Sequence, residues 1–266
     1  MLTIDEVKIS ADGGDSAAQY QLGCMFLKGS PSFPRNVTEG VHWLRLASDQ
    51  DLDKAQYYLG WLYCEGDQEY RDIESGERLL KCAAEKGYRD AQQYLATRRY
   101  NSKNYSQAID LFKMAAQQDD ELALYQLGYI YYEGKVVPKD LKKAFDYFNQ
   151  SAELGEKQAQ LSLCLMLGKG EGVESNFEKS VYWLKKSADQ GVSEAEYMLG
   201  LMYLNGKHDV KIDASAALDW LSKAAKQGHQ GAQLLIKRVD NSSTSFSWLL
   251  SLVIVVVFIS VLVSVF

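Results

Sequence analysis

Apolar residues recur along this chain at helical spacing, and the helical pattern itself recurs. The strings AQYQLGCMFLKG (from Ala18), AQYYLGWLYCEG (from Ala55), ALYQLGYIYYEG (from Ala123) and AEYMLGLMYLNG (from Ala195) share an alanine, a leucine four residues on and a glycine directly after it. Apolar positions three and four apart form one face of an amphipathic helix. The motif leucines are Leu22, Leu59, Leu95, Leu127, Leu163 and Leu199, in steps of 37, 36, 32, 36 and 36 residues. So regular a period marks an array of stacked repeats. Each copy has a second half, as in KAFDYFNQSAELG (Lys143–Gly155), KSVYWLKKSADQG (Lys179–Gly191) and AALDWLSKAAKQG (Ala216–Gly228). The closing glycine suits a helix C-cap, because it accepts positive φ without steric penalty. The pattern predicts two antiparallel helices per copy, A and B, joined by glycine-containing loops. A glycine inside a helix costs about 1 kcal/mol against alanine. Gly23, Gly60, Gly128 and Gly200 are therefore expected where helix B must approach helix A closely.

Taken together, the alanine, the Leu-Gly pair, the recurring tyrosine, the loop GEGV (Gly170–Val173) and the small residues before the closing glycine resemble the Sel-one-like repeat (SLR) family. That family is related to the tetratricopeptide repeats, and the resemblance covers Ala17 to Val239. It implies an all-α fold, a right-handed α/α superhelical solenoid of about six SLR helix pairs. The expected organisation is an N-terminal cap at 1–14, then repeats at about 15–51, 52–87, 88–119, 120–155, 156–191 and 192–228. A capping helix at 229–239, a linker at 240–247 and a transmembrane helix at 248–266 follow. The first loop departs from the pattern with Pro31 and Pro34. In the third copy Leu95-Ala96 replaces Leu-Gly and the long loop is missing; Leu163-Cys164 replaces it in the fifth, with Cys164 expected as a small buried side chain.

The segment WLLSLVIVVVFISVLVSVF, Trp248 to Phe266, is 19 residues without a charge. As a helix it would span about 28 Å, close to a bilayer core. Lys237 and Arg238 lie on its N-terminal flank, and no hydrophobic signal segment stands at the N-terminus. The expectation is a single-pass tail anchor in a lipid bilayer, with the repeats cytoplasmic.

A formal net charge of −6 and a pI near 5.2 argue against nucleic acid as a partner. Cys24, Cys64, Cys82 and Cys164 make no CxxC pair, and His42, His208 and His229 are scattered, so no metal or cofactor is expected. The chain contains no GxSxG, HExxH, Walker A or dinucleotide fingerprint. GKGEG (Gly168–Gly172) lacks the following Lys-Ser/Thr of a phosphate loop. The chain is read as non-enzymatic, without a small-molecule substrate. The resemblance also extends to cysteine-rich relatives linked to β-lactam binding or hydrolysis. Those pair cysteines in every repeat, a pattern the four cysteines here do not follow.

What remains is a surface. In helical repeat arrays the A helices line the concave side. Counting from each motif alanine, positions 4, 7 and 11 vary and share one face. Tyr58, Trp61, Tyr94 and Tyr129 cluster there in copies two to four, with Glu65, Arg98 and Glu133 beside them and Met198 and Leu201 in the sixth copy. Tyrosine, tryptophan and arginine dominate interface hot spots. These nine residues are the candidate partner-binding set, for a peptide or helix of a protein partner. Trp43, Trp183 and Trp220 recur on the B helices and are expected in the core. The reading is a membrane-tethered adaptor; the alternative is an immunity or regulatory protein that neutralises a membrane-active partner.

Overall fold

The computed structural model describes residues 3–31, 33–206 and 211–242. Among these, fourteen α-helices follow one another: α1 Ile4–Asp12, α2 Ser16–Lys28, α3 Val37–Asp49, α4 Asp53–Glu65, α5 Ile73–Glu85, α6 Arg89–Asn101, α7 Tyr105–Ala116, α8 Glu121–Glu133, α9 Leu141–Glu153, α10 Lys157–Lys169, α11 Phe177–Asp189, α12 Ser193–Asn205, α13 Ala214–Lys226 and α14 Gln230–Ser242. The β structure among the described residues is an isolated bridge, Ser30 to Phe33, in the proline-containing first loop. The chain divides into two units, Met1–Ala123 and Leu124–Phe266, and the division falls inside α8. Within each unit a helix packs on the one before it and the one after it, the contact pattern of an α-solenoid. Even-numbered helices are the A helices and odd-numbered ones the B helices.

One device sets each A-to-B connection. An Asn or Asp stands before every B helix from α3 on: Asn36, Asp72, Asn104, Asp140, Asn176 and Asp213. Its backbone N–H donates to a carbonyl of the preceding A helix, Phe26, Tyr63, Arg99, Tyr131, Leu167 and Tyr203 in turn, at 2.8–3.1 Å. In all but Asn104 the side chain also accepts the N–H three residues on, which is N-capping. The third copy keeps the backbone bond, Asn104 to Arg99, across a much shorter loop. That shortening produces the step of 32 residues. The return from B to A passes through a residue of positive φ, glycine at Gly14, Gly87, Gly155, Gly191 and Gly228, and aspartate at Asp51 and Asp119.

Inside each copy the A and B backbones cross closely. A Cβ on Gly60 would stand 2.9 Å from the Gly76 carbonyl oxygen and 2.9 Å from Leu80 Cγ; one on Gly200 would stand 2.8 Å from Leu221 Cγ. The expected reason for the motif glycines therefore holds. In the fifth copy Cys164 is buried at this crossing, where Ser180 Oγ donates to its carbonyl oxygen at 2.8 Å. Trp43, Trp183 and Trp220 are half-buried against the core clusters.

Between copies the contact is partly polar. Gln92, 1% exposed, donates to the Ala84 carbonyl at the end of α5 and accepts from Gln118 beyond α7. Gln160 does the same with Ala152 and Gln190, and Gln19 with Ala11 and Gln50. Each amide thus ties three successive helices and gives a helix-end carbonyl a second donor beside the N–H of the closing glycine.

The linker expected from Asp240 is helical as far as Ser242, since α14 continues past the capping helix read from sequence. Nothing between Ala232 and Ser242 is a glycine or proline that would stop it. Among the described residues no helix is long and apolar enough to cross a membrane. The candidate transmembrane helix, 248–266, lies outside them.

The crossing gives a paired test. Gly60→Ala puts a methyl into backbone and should lower stability by about 1–3 kcal/mol, the cost of overpacking. Gly168→Ala, whose Cβ meets Ser180 Oγ at 3.4 Å, should instead raise stability by about 0.5–1 kcal/mol through helix propensity. Urea unfolding of both variants checks the opposite signs.

Candidate protein-binding face

The candidate site of the first unit is carried by α2, α4, α5 and α6. On α4, Ala55, Leu59, Gly60 and Tyr63 face the core, which turns Tyr58, Trp61 and Glu65 outward at spacings of three and four. Trp61 is 42% exposed and Tyr58 37%. Tyrosine rings continue the surface to both sides. Tyr58 lies 5.5 Å from Tyr20 of α2 and 5.3 Å from Tyr57, centroid to centroid. Tyr57 lies 5.3 Å from Tyr88 and 6.5 Å from Tyr94 of α6. Burial raises the Tyr20, Tyr88 and Tyr94 phenols above the usual tyrosine range, helped by Cys24, Asp90 and the Glu65 carboxylate in turn. They are neutral donors at physiological pH.

An ion network borders the rings. Tyr94 O–H donates to Glu65 Oε1 at 2.6 Å, and Arg98 Nη1 donates to the same oxygen at 3.0 Å. Arg98 Nη2 and Arg99 Nη2 each reach Glu77 at 3.2 Å, one carboxylate oxygen apiece. The Arg98 guanidinium also stands 5.9 Å from the Tyr94 ring centre. Partly exposed pairs such as these add little stability one by one. Their joint effect is to hold Tyr94, Arg98 and Glu65 in one arrangement. Burial pushes the Glu77 carboxyl up, but the hydrogen bonds from Arg98 and Arg99 outweigh it and leave Glu77 below its ordinary value. An open cleft lies at the other end of the tyrosine row, lined by Asp53, Lys86, Tyr88, Arg89, Asp90 and Gln118.

The first unit thus brings together five of the nine candidate residues: Tyr58, Trp61, Glu65, Tyr94 and Arg98. The other four belong to the second unit. Tyr129 is 40% exposed on α8, and Glu133 on the same helix pairs with Lys135. Met198 and Leu201 of α12 are half-buried, Met198 against the Leu184–Leu199 cluster and Leu201 against the Leu221–Leu235 cluster. Both serve helix packing. Among the described residues no group of three His, Cys, Asp or Glu could hold a metal ion, and all four cysteines are free thiols.

The Sel1 repeat model matches this chain six times, at residues 16–52, 53–88, 90–120, 122–156, 157–192 and 193–229. The chain belongs to the Sel1 repeat family. It is similar to a putative sel1-like repeat-containing protein of Acanthamoeba polyphaga mimivirus, 30% identical over 137 residues, which covers 51% of this chain and 25% of that protein. Its fold is similar to that of a protective antigen of uropathogenic Escherichia coli strains displaying an SLR fold. The TM-score there is 0.73 at 23% identity, over 95% of this chain and 63% of that one. A Sel1 repeat protein from Oxalobacter formigenes superposes with a TM-score of 0.70 at 27% identity, over 79% of this chain and 85% of that one. The chain therefore spans a quarter of the mimivirus protein and less than two thirds of the antigen.

Several residues of the face are not in the candidate set read from sequence. Tyr20, Tyr57 and Tyr88 stand at positions that look like packing positions, yet their rings join the exposed row. Glu77 and Arg99 close the ion network, and Glu77 comes from a B helix. A cue did exist for one of them: Tyr57 directly precedes Tyr58, so one of two adjacent rings must flank the outward face. No spacing rule within a Sel1 repeat would have paired Glu77 with Arg98, 21 residues away.

The network implies a pH dependence. Glu77 is depressed in the folded chain, so its contribution to stability is present above the unfolded carboxyl value, near 4.5, and is lost as pH falls through the lower folded value. Glu77→Gln should remove that part of the acid sensitivity. Urea midpoints at pH 7 and pH 3 should lie closer together in the variant than in the wild type.

Proposed function

We propose that this Sel1 repeat chain is a non-catalytic protein-binding module that holds a partner segment on the A-helix face of its first unit, and that residues 248–266 tether it to a bilayer. The observation that carries the first part is Trp61. It is the largest side chain type, it remains 42% exposed, and rings and ion pairs on three neighbouring helices hold its surroundings in place. Rigid, half-exposed aromatics beside an arginine are the usual composition of a binding hot spot. A preorganised face also loses little side-chain entropy on docking.

The tether rests on the sequence: 19 uncharged residues, long enough as a helix for a hydrocarbon core, with Lys237 and Arg238 before them. That flank supports a cytoplasmic repeat domain. Tethering would raise the effective concentration of a captured partner at the membrane surface.

Photocrosslinking in the native cells tests the first part. p-Benzoylphenylalanine at position 61 should give a discrete adduct with one protein, and the same group at Met114, 41% exposed on α7, should not. Adducts at both positions, or at neither, refute the reading. Membrane fractionation with alkaline carbonate tests the second. The full chain should stay in the pellet, and a chain ending at residue 242 should move to the supernatant. A full chain found in the supernatant removes the tether.

A further inference from the structure

The charge around Trp61 narrows the chemistry of what docks there. Residues 1–123 contain 20 Asp and Glu against 14 Lys and Arg, whereas residues 124–266 contain 15 of each. The first unit therefore carries the entire net charge of −6. Four cations along its tyrosine row are already engaged. Lys86, in the turn before α6, is held by Asp51; Arg89 lies at 3.3 Å from Asp90 and 3.5 Å from Asp120; Arg98 and Arg99 are held by Glu65 and Glu77. An anionic segment would find no disengaged cation among them.

Glu65 is different. Tyr94 and Arg98 both donate to Oε1, and among the described residues no hydrogen bond reaches Oε2. The side chain is 45% exposed. It follows Trp61 by four residues, so the indole and the carboxylate are neighbours on one helix face. An electron-rich ring beside a half-satisfied carboxylate suits a cation, which gains from the ring face and from the charge together. The acidic surplus of the unit would steer such a segment in.

We infer that the Tyr58–Trp61 face takes a short basic segment of a protein partner, with an Arg or Lys laid on Trp61 and its charge at Glu65 Oε2. The inference rests on the reading of this face as the partner-binding surface and adds the chemistry of the occupant. An apolar residue next to the cation would cover Tyr58.

Selection of phage-displayed random 12-residue peptides on the full chain tests it without presupposing the sequence. Enriched peptides should carry Arg or Lys next to an apolar residue. The synthetic consensus peptide should bind at least ten-fold more weakly to Trp61→Ala, and about three- to ten-fold more weakly to Glu65→Gln, which can still accept from Tyr94. Both variants should melt like the wild type. A scrambled peptide of equal composition should bind at least ten-fold more weakly than the consensus; equal binding would mean bulk charge alone and would overturn the proposal. If the enriched peptides are acidic or uncharged and still depend on Trp61, the basic-segment inference fails while the binding face stands. If nothing is enriched, or if Trp61→Ala binds the enriched peptides as the wild type does, both fail.

Discussion

Everything in this structure depends on how closely two helix backbones can cross. By register, the residue after each motif leucine meets the residue four positions after the B-helix cap. The pairs are Gly23 with Gly40, Gly60 with Gly76, Ala96 with Ala108, Gly128 with Ala144, Cys164 with Ser180 and Gly200 with Ala217. Where one partner is larger, the other tends to be glycine or stays small. The side chain removed at this point is replaced by contacts on both sides of it, from Leu44, Leu80, Phe148 and Leu221. Those contacts offset the propensity loss of an interior glycine, because packed apolar atoms each add dispersion and transfer energy. With the crossing fixed, one face of each A helix is fixed as well. Leu22, Leu59, Leu127, Leu163 and Leu199 are all at most 3% exposed.

The copies are joined by a different kind of force. Apolar contact alone would let one pair slide on the next, since dispersion has little direction. The buried glutamines add direction. Gln19, Gln92 and Gln160 each donate to a carbonyl in front and accept from an amide behind, and a shift along the helix would break both bonds, at about 0.5–1.5 kcal/mol each. Register between neighbours is thereby specified by hydrogen bonds and stability mainly by burial. Glu196 keeps only the accepting half of this link in the sixth copy, taking a hydrogen bond from Gln227 at 2.8 Å. In the fourth copy this position is Leu124, which is buried without the polar link.

Most of the fold was legible in the sequence because it repeats. A requirement imposed at every crossing leaves a small residue in every copy, and six aligned copies reveal it as an alignment of homologues would. The shortened third loop was visible as a step of 32, and the structure adds that Asn104 still bonds back to Arg99. The candidate face was legible only in part. Tyr58, Trp61 and Glu65 fall on one face by spacing alone. Met198 and Leu201 occupy the same register yet are half-buried against neighbouring clusters, whereas Leu165 at that register in the fifth copy is 39% exposed, so register alone does not decide exposure. Glu77 was invisible, since its partner lies on a different helix and pairing across helices leaves no period.

The exposure of Trp61 has its own cause. The residues at the same register on the flanking A helices are Cys24 and Thr97, both small. Neither can cover the indole, so its face remains open between them. One register position earlier stand Gln21, Tyr58 and Tyr94, larger side chains, and there the rings support one another instead. A large residue between two small ones lets a stacked array present an exposed anchor without loops. Packing across the array does not ask for this alternation, because the interior residues of all three helices are alike. The arrangement is therefore a property of the outward face, and that is where the chemistry of recognition can change without disturbing the stack.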